Sequence, residues 1–325
     1  MDKRVYGVAG IVSIMSNWNA DFSGYPKTTT AGDTFGSDKA FKFPIKKMWE
    51  NQGEKVIYIK SYKIDDEGEN IVPRTLKERY EKVFNVEDLK KQKNAKEILT
   101  NLFSAIDVKN FGATFAESGS NISITGAVQI GQGFNKYADT QPQEQSILSP
   151  FRDPKGKPVK ETDEEARTKD EQDKTTEAKN STLGTKIVSD EAHYVYPFVI
   201  NPQAYDEYAE MGVTDGYTEE DYAKFKEAAL SAATSFATNA KIGCENEFSV
   251  FVETKSDVYL PNLSEYITFT KKDNINEITL GFGSLLKEMG EDVLSVEIYY
   301  NPYTTELNPK IEGAKYYNIF TRKEV

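Results

Sequence analysis

A chain of 325 residues is long enough to bury a substantial core, as one elaborated domain or two. Its hydrophobic content of 38%, with 12% aromatic residues, excludes wholesale disorder, and no apolar run approaches the roughly 18 residues of a transmembrane helix. The net charge of −12 argues against a nucleic-acid partner only as a whole: residues 1–109 hold 19 Lys and Arg against 16 Asp and Glu, the rest 21 against 36, and a local basic patch is enough to steer a polyanion.

Residues 4–16 form a near-continuous apolar run and predict a buried strand. Met1-Asp2-Lys3-Arg4 leads into that run, and Ser16-Asn17 follow without a small-residue cleavage site, so a strand is expected there and not a signal peptide. The next stretch is rich in Asn, Asp, Gly, Pro and Thr, which favour turns. Ser37 and Asp38 signal a helix start, with Asp38 preferred as a cap. Lys39, Lys42, Lys46 and Lys47 follow at helical spacings. A helix N-terminus with lysines on one side is an anion site; simple solvent cover accounts for the same four residues. Pro44 lacks an N–H and biases Phe43 away from helical geometry, which predicts a kink or a helix that begins in earnest near Pro44.

Further on, Lys55 to Ile64 alternates like a strand, and Val86 to Ile106 predicts a helix with Leu89, Leu99, Leu102, Phe103 and Ile106 near one face. Residues 50–106 are therefore expected as an insertion. A second core strand is expected from about Val108 to Glu117, turning at Ser118-Gly119-Ser120 into a partner from Asn121. Ile122, Ile124, Val128 and Ile130 keep a period of two, with Gly126 marking a bulge or a close backbone approach. Gln132, Phe134, Asn135 and Lys136 then gather amides, an aromatic ring and a cation on a glycine-containing stretch. Between Asp153 and Thr182, sixteen of thirty residues are charged, which predicts a mobile projection without a core of its own.

His193 to Asn201 returns to strand-like sequence. Thr218 opens the clearest helix, with Tyr222, Phe225, Ala229, Ala233, Phe236 and Ala237 as its apolar stripe. Phe248 to Val252, Leu294 to Tyr300 and Tyr316 to Thr321 predict later strands, with a short helix over Gly283 to Gly290. Without its insertions the order is strand, helix, strand, strand, helix, strand. That is the ferredoxin-like α+β order of RNA-recognition domains, a superfold serving many functions.

Several chemistries are missing. His193 and Cys244 are the only histidine and cysteine, so the usual zinc sets cannot form within one chain, and the lone cysteine fits a reducing cytoplasm. No nucleophile elbow, phosphate loop or dinucleotide fingerprint is present. His193 is expected at the surface or in an edge strand. Asp21 and Asp38 flank the first loop, but no metal or cofactor is expected. A single RNA strand needs cations for phosphates and flat groups for bases, with stacking worth about 1–3 kcal/mol per base. Lys27, Lys39, Lys42, Lys46 and Lys47 supply charge, and Asn17 and Asn19 supply amides. Trp18, Tyr25 and Phe134 are candidate stackers or, equally, core residues. Lys109 and Asn110 stand at a strand entrance.

The run Asn17-Trp18-Asn19-Ala20-Asp21-Phe22-Ser23-Gly24-Tyr25-Pro26-Lys27, followed by Phe35-Gly36-Ser37-Asp38-Lys39-Ala40-Phe41-Lys42, resembles the opening signature of the Cas-seven family. That family supplies the repeated backbone subunit of type I-B CRISPR Cascade complexes. Asp107-Val108-Lys109-Asn110-Phe111-Gly112-Ala113 with Gly126-Ala127-Val128-Gln129-Ile130 is similar to its next signature, and Gly184 to Val188 with Tyr194-Val195-Tyr196 matches more loosely. The resemblance covers roughly the first two hundred residues. It implies one elaborated RRM-like domain over 1–325, a ferredoxin-like palm with a finger-like insertion at 50–106 and a thumb-like insertion at 138–191. It implies a non-catalytic cytoplasmic protein that binds CRISPR guide RNA, polymerises with copies of itself, joins other Cascade subunits and presents the guide to target DNA. It implies that the first loop and the lysine helix hold the guide's phosphates, and with the residues singled out above the candidate RNA contacts are Asn17, Trp18, Asn19, Lys27, Ser37, Lys39, Lys42, Lys46, Lys47, Lys109, Asn110, Gln132, Phe134, Asn135 and Lys136. The alternative is a ferredoxin-like endoribonuclease that processes CRISPR transcripts, for which His193 is the only available histidine base.

Overall fold

A computed structural model describes residues 1–92, 94–148 and 183–325. The charged stretch from Asp153 to Thr182, expected as a mobile projection, lies outside the described residues. Strand β1 (Lys3–Ser16) is the axis of the molecule, because its apolar run is buried along most of its length. It pairs antiparallel on one side with β10 (Leu183–Ile200) and on the other with β11 (Cys244–Lys255). Beyond β11 come β14 (Val293–Tyr300), antiparallel to it, and β16 (Lys315–Asn318), parallel to β14. Beyond β10 lie β7 (Val128–Ile130), β8 (Gly133–Asn135) and β9 (Pro142–Leu148), each pairing with a different stretch of it, and β2 (Phe35–Gly36) closes that rim on β8. Nine strands thus make one sheet.

Both faces of the sheet are covered. On one, helices α1 (Asp38–Asn51), α4 (Ile106–Phe111) and α6 (Glu219–Ser235) pack a core that includes Trp18, Phe41, Trp49, Phe198 and Phe225. On the other, β12 (Ile267–Thr270), β13 (Asn276–Leu280) and β15 (Thr305–Leu307) form a small sheet that, with α7 (Gly283–Met289), buries Val8, Phe248, Val250, Ile278 and Leu280. The fold is α+β. Thr218 caps α6 as expected and forms a reciprocal box with Asp221, while Tyr222, Phe225, Ala229 and Ala233 are buried.

Other expectations are corrected. Helix α1 runs through Pro44 without beginning there, since Phe41, Ile45 and Trp49 are buried on one side and outweigh the roughly 3 kcal/mol that an interior proline costs. Its cap is Ser37, whose hydroxyl accepts from the Ala40 N–H; Asp38 lies one residue inside and pairs with Lys42. In the insertion, Lys55 to Ile64 is mostly irregular, and only β3 (Tyr62–Ile64) pairs, with β4 (Ile71–Pro73). The helix expected from Val86 to Ile106 is reduced to a 3-10 turn at Leu89–Lys91 and α3 (Ala95–Phe103), which Asn94 caps, and an unexpected helix, α2 (Leu76–Phe84), precedes it and ends at the left-handed Asn85. Val108 belongs to α4 and not to a strand. Strand β5 (Gly112–Glu117) starts after it and pairs only with β6 (Ser120–Thr125), outside the large sheet. Gly126 is indeed a point of close approach: a side chain there would collide with the Phe111–Gly112 backbone. A further helix, α5 (Asp206–Glu210), follows β10.

Candidate nucleic-acid interface

The loop between β1 and β2 folds on its own hydrogen bonds. Ala20 bridges Pro26, Thr28 bridges Thr34, and the Asp21 carboxylate accepts from the Ser23 hydroxyl and from the Ser23 and Tyr25 N–H groups. Those donors, the Ser23 side chain first, hold the exposed Asp21 carboxyl below its usual range. Asn17 and Asn19 are both engaged in the loop. The Asn17 amide donates to the Gly24 and Ile187 carbonyls, and the Asn19 side-chain oxygen accepts from the Ser37 N–H, tying the loop to the start of α1.

Trp18 is turned inward, 1% exposed, and its indole N–H donates to the Tyr196 hydroxyl at 2.6 Å. It supports the loop from below and cannot stack on a base at the surface without unfolding it. Above it, β2 and β8 lie flat on the Tyr196 ring because the paired residues Gly36 and Gly133 have no side chains to hold them off. The flanking pair, Phe35 and Phe134, is directly opposite across the strands with ring centroids 5.9 Å apart. The Lys27 ammonium stands 5.4 Å from the Phe35 centroid, and Phe134 keeps 40% of its surface exposed. Gln132 is exposed just before β8, and Lys136 follows it half-buried. Ser37 and the exposed Lys39 continue from Gly36. Asn135 is committed internally, donating to the Tyr137 carbonyl and Thr140 hydroxyl and accepting from the His193 N–H.

The four lysines of α1 do not form one open row. Lys42 pairs with Asp38 at 3.0 Å and Lys47 with Glu50 at 2.8 Å. Lys46 points into the protein, donating to the Tyr58 carbonyl 4.0 Å from the Asp107 carboxylate. Burial, the largest effect on both groups, pushes the Lys46 ammonium down and the Asp107 carboxyl up, and their mutual attraction offsets part of it. Asp107 in turn accepts from the Ile57 and Tyr58 N–H groups, so this pair pins the insertion to α1. Lys109 donates to Thr214 and lies 3.6 Å from Asp221, while buried Asn110 bonds Ile106 and Tyr217. These two residues brace α4 against the segment before α6.

The structure therefore brings Lys27, Ser37, Lys39, Gln132, Phe134 and Lys136 to one rim of the sheet, and takes Trp18, Lys46, Lys109 and Asn110 into the interior. It adds Phe35, which no periodicity had singled out. His193 is also corrected: it is 2% exposed in an internal strand, with Val12 of β1 as its neighbour. Its ring nitrogens meet Glu247 at 2.8 Å and Glu191 at 3.1 Å, Phe269 stacks on it at 3.6 Å, and Lys271 binds Glu191 from outside. Among the described residues, no three His, Cys, Asp or Glu side chains converge in a way that could hold a metal ion, and no helix is long and apolar enough to cross a membrane.

A family model described as CRISPR-associated protein Cas7 matches residues 3–280. Among solved structures, a chain of a "CRISPR RNA-guided surveillance complex, pre-nicking" is 16% identical with a TM-score of 0.53, over 97% of this chain and 96% of that one. A chain of a "CRISPR RNA-guided surveillance complex" is 15% identical with a TM-score of 0.45, over 93% and 95%. At these identities the first likeness shows a shared fold. No curated protein matches the chain.

Proposed function

The chain belongs to the CRISPR-associated protein Cas7 family, and from that premise we propose that it binds CRISPR guide RNA as the repeated backbone subunit of a type I-B Cascade surveillance complex. Copies polymerise head to tail along the guide, a heterologous contact that builds an open helix. The complex works in the cytoplasm with other Cascade subunits, and target DNA is recognised by pairing with the presented guide. The chain performs no catalysis.

One observation carries this proposal: the rim where Lys27 covers Phe35, Phe134 lies exposed beside it and Lys39 follows at the start of α1. A cation beside open aromatic faces is what a single RNA strand requires, one for phosphate and the other for a base. The ferredoxin-like palm is the part of the sheet ordered β11, β1, β10, β8, with α1 and α6 on one face; its antiparallel neighbours support that assignment. Residues 50–106 serve as the finger and 138–191 as the thumb.

The protein purified with and without a CRISPR transcript tests the proposal, by absorbance ratio and light scattering. Wild type is expected as an RNA-bound multimer in the presence of transcript, and a Lys27→Glu/Lys39→Glu variant as bare protein. Wild type that carries no RNA in either preparation overturns it. The endoribonuclease alternative is not favoured, because His193 is enclosed by Glu247, Glu191 and Phe269 and has no open side from which to take a substrate proton.

A further inference from the structure

Strand β14 has a neighbour along its whole length on one side and along half of it on the other. β11 accompanies it from Val293 to Tyr300, whereas β16 begins at Lys315, opposite Glu297. The chain before Lys315 does not continue the ladder, because it folds into a turn in which the Ala314 N–H donates to the Ile311 carbonyl. Among the described residues, 293–296 therefore have no strand on their outer side. Leu294 is in addition the extra residue of a bulge, opposite no residue of β11, and keeps 52% of its surface exposed. Lysine, proline and a covering segment are common devices for blunting such an edge. Val293-Leu294-Ser295-Val296 has only the bulge.

A groove of about 580 Å³ runs along this edge, walled by α7 on one side and by residues 309–313 on the other. Leu286, Val296 and Ile311, all buried, give it an apolar lining. Its two ends differ in charge. The chain enters β14 through the exposed Glu291 and through Asp292, which Lys255 holds, so carboxylates mark the open end. Toward the end closed by β16 stands Lys310, its ammonium 5.0 Å from the ring centroid of Tyr316, the residue opposite Ile298. Among the described residues Lys310 pairs with no carboxylate, while Lys287 and Glu312 neutralise each other from the two walls at 3.0 Å.

An extended peptide laid along 293–296 would complete the ladder with main-chain hydrogen bonds, at about 3.3 Å per residue. Charge selects its direction. Running parallel to β14, it would bring its first residue to the carboxylates and its last to Lys310; reversed, it would set its amino end against a cation. β16 already fills the place beyond Lys315, so an added strand has to stop there. A terminal carboxylate at that point is the group Lys310 can bind.

We propose that this groove binds the C-terminal residues of a partner polypeptide as an added parallel strand, with an apolar side chain against Leu294 and the terminal carboxylate at Lys310. The groove lies on the opposite side of β1 from β2 and β8, and the proposal stands or falls apart from RNA binding.

A library of heptapeptides displayed with free C-termini, selected against the full chain prepared without transcript, supplies the probe. A selected peptide, labelled at its N-terminus, is made with a carboxylate and with an amide at its C-terminus, and both are titrated by fluorescence anisotropy. Wild type should bind the carboxylate form about 10- to 150-fold tighter, the worth of one hydrogen bond to a charged group. Lys310→Glu should erase that preference, and Leu294→Lys should weaken both forms; each replaces an exposed side chain. Peptide should slow hydrogen exchange over 293–296 in wild type and not in Leu294→Lys. Selection that yields no binder, equal affinity for the two forms, or binding unaltered by both variants overturns the proposal. So does self-association of wild type, seen by light scattering, that Leu294→Lys abolishes, since the groove then holds a second copy.

Discussion

His193 shows how a single residue can set a pH response without taking part in the chain's proposed work. Burial opposes its charge, but Glu247 and Glu191 more than offset burial and raise its pKa above the usual histidine value. A group whose folded pKa is raised contributes stability that is complete below its unfolded value, near 6.5, and lost as pH rises through the folded value. Unfolding free energy from urea titrations should therefore decline above about pH 6.5 in wild type, and that decline should vanish in His193→Gln; an unchanged slope in the variant refutes the assignment. Since this is the chain's only histidine, no other imidazole contributes to the slope. At this scale the sequence revealed residue types and concealed their pairing. Four lysines at helical spacing looked alike, yet one is exposed, two are tied to neighbours on the helix and Lys46 is buried against an aspartate sixty-one positions away in the chain. Spacing reports the face of a helix, not what that face meets.

The proposed interface depends on how thin β2 and β8 are. A Cβ at Gly36 would overlap the Tyr196 hydroxyl and press on the Trp18 indole, and one at Gly133 would enter the Tyr196 ring. Gly36→Ala or Gly133→Ala should each lower stability by about 1–3 kcal/mol, the cost of overpacking, and weaken RNA binding as Phe35 and Phe134 are displaced. Gly184→Ala, where the nearest atom is 3.9 Å away, is the control. Thermal unfolding and anisotropy together check the pair; a stable variant with normal binding would show that the rim tolerates lifting. Elements with a strong local signal were legible: β1 from its apolar run, α6 from its cap and stripe, β11 and β14 from alternation. The insertion was not. Its helices are nine residues long and its hairpin has three-residue strands, too short for periodicity to separate from irregular chain. Strand β2, of two residues, exists only because β8 comes to meet it.

Taken whole, the molecule carries a net charge of −12 and still offers a cationic rim, since the acidic excess falls after residue 109. Affinity for single-stranded RNA should fall linearly with salt on logarithmic axes, and each phosphate contact removed should flatten that slope by about 0.7. Anisotropy titrations of Lys27→Glu and Lys39→Glu at several salt concentrations measure this; a slope identical to wild type would remove the lysine from the contact. The order of the central strands was not legible from the chain: the stretches expected as the second and third core strands, 108–117 and from 121, form the separate β5–β6 hairpin, and β8 and β10 take places in the large sheet. Nor was the second layer of β12, β13 and β15, since its strands are joined by a parallel pairing between distant segments. That layer has a consequence of its own. With helices on one side of the large sheet and a small sheet on the other, the described residues bury a core against each of its faces. Change confined to the outer surface then leaves those cores untouched, so such a chain can drift far in sequence, or acquire new neighbours, while its architecture stays fixed.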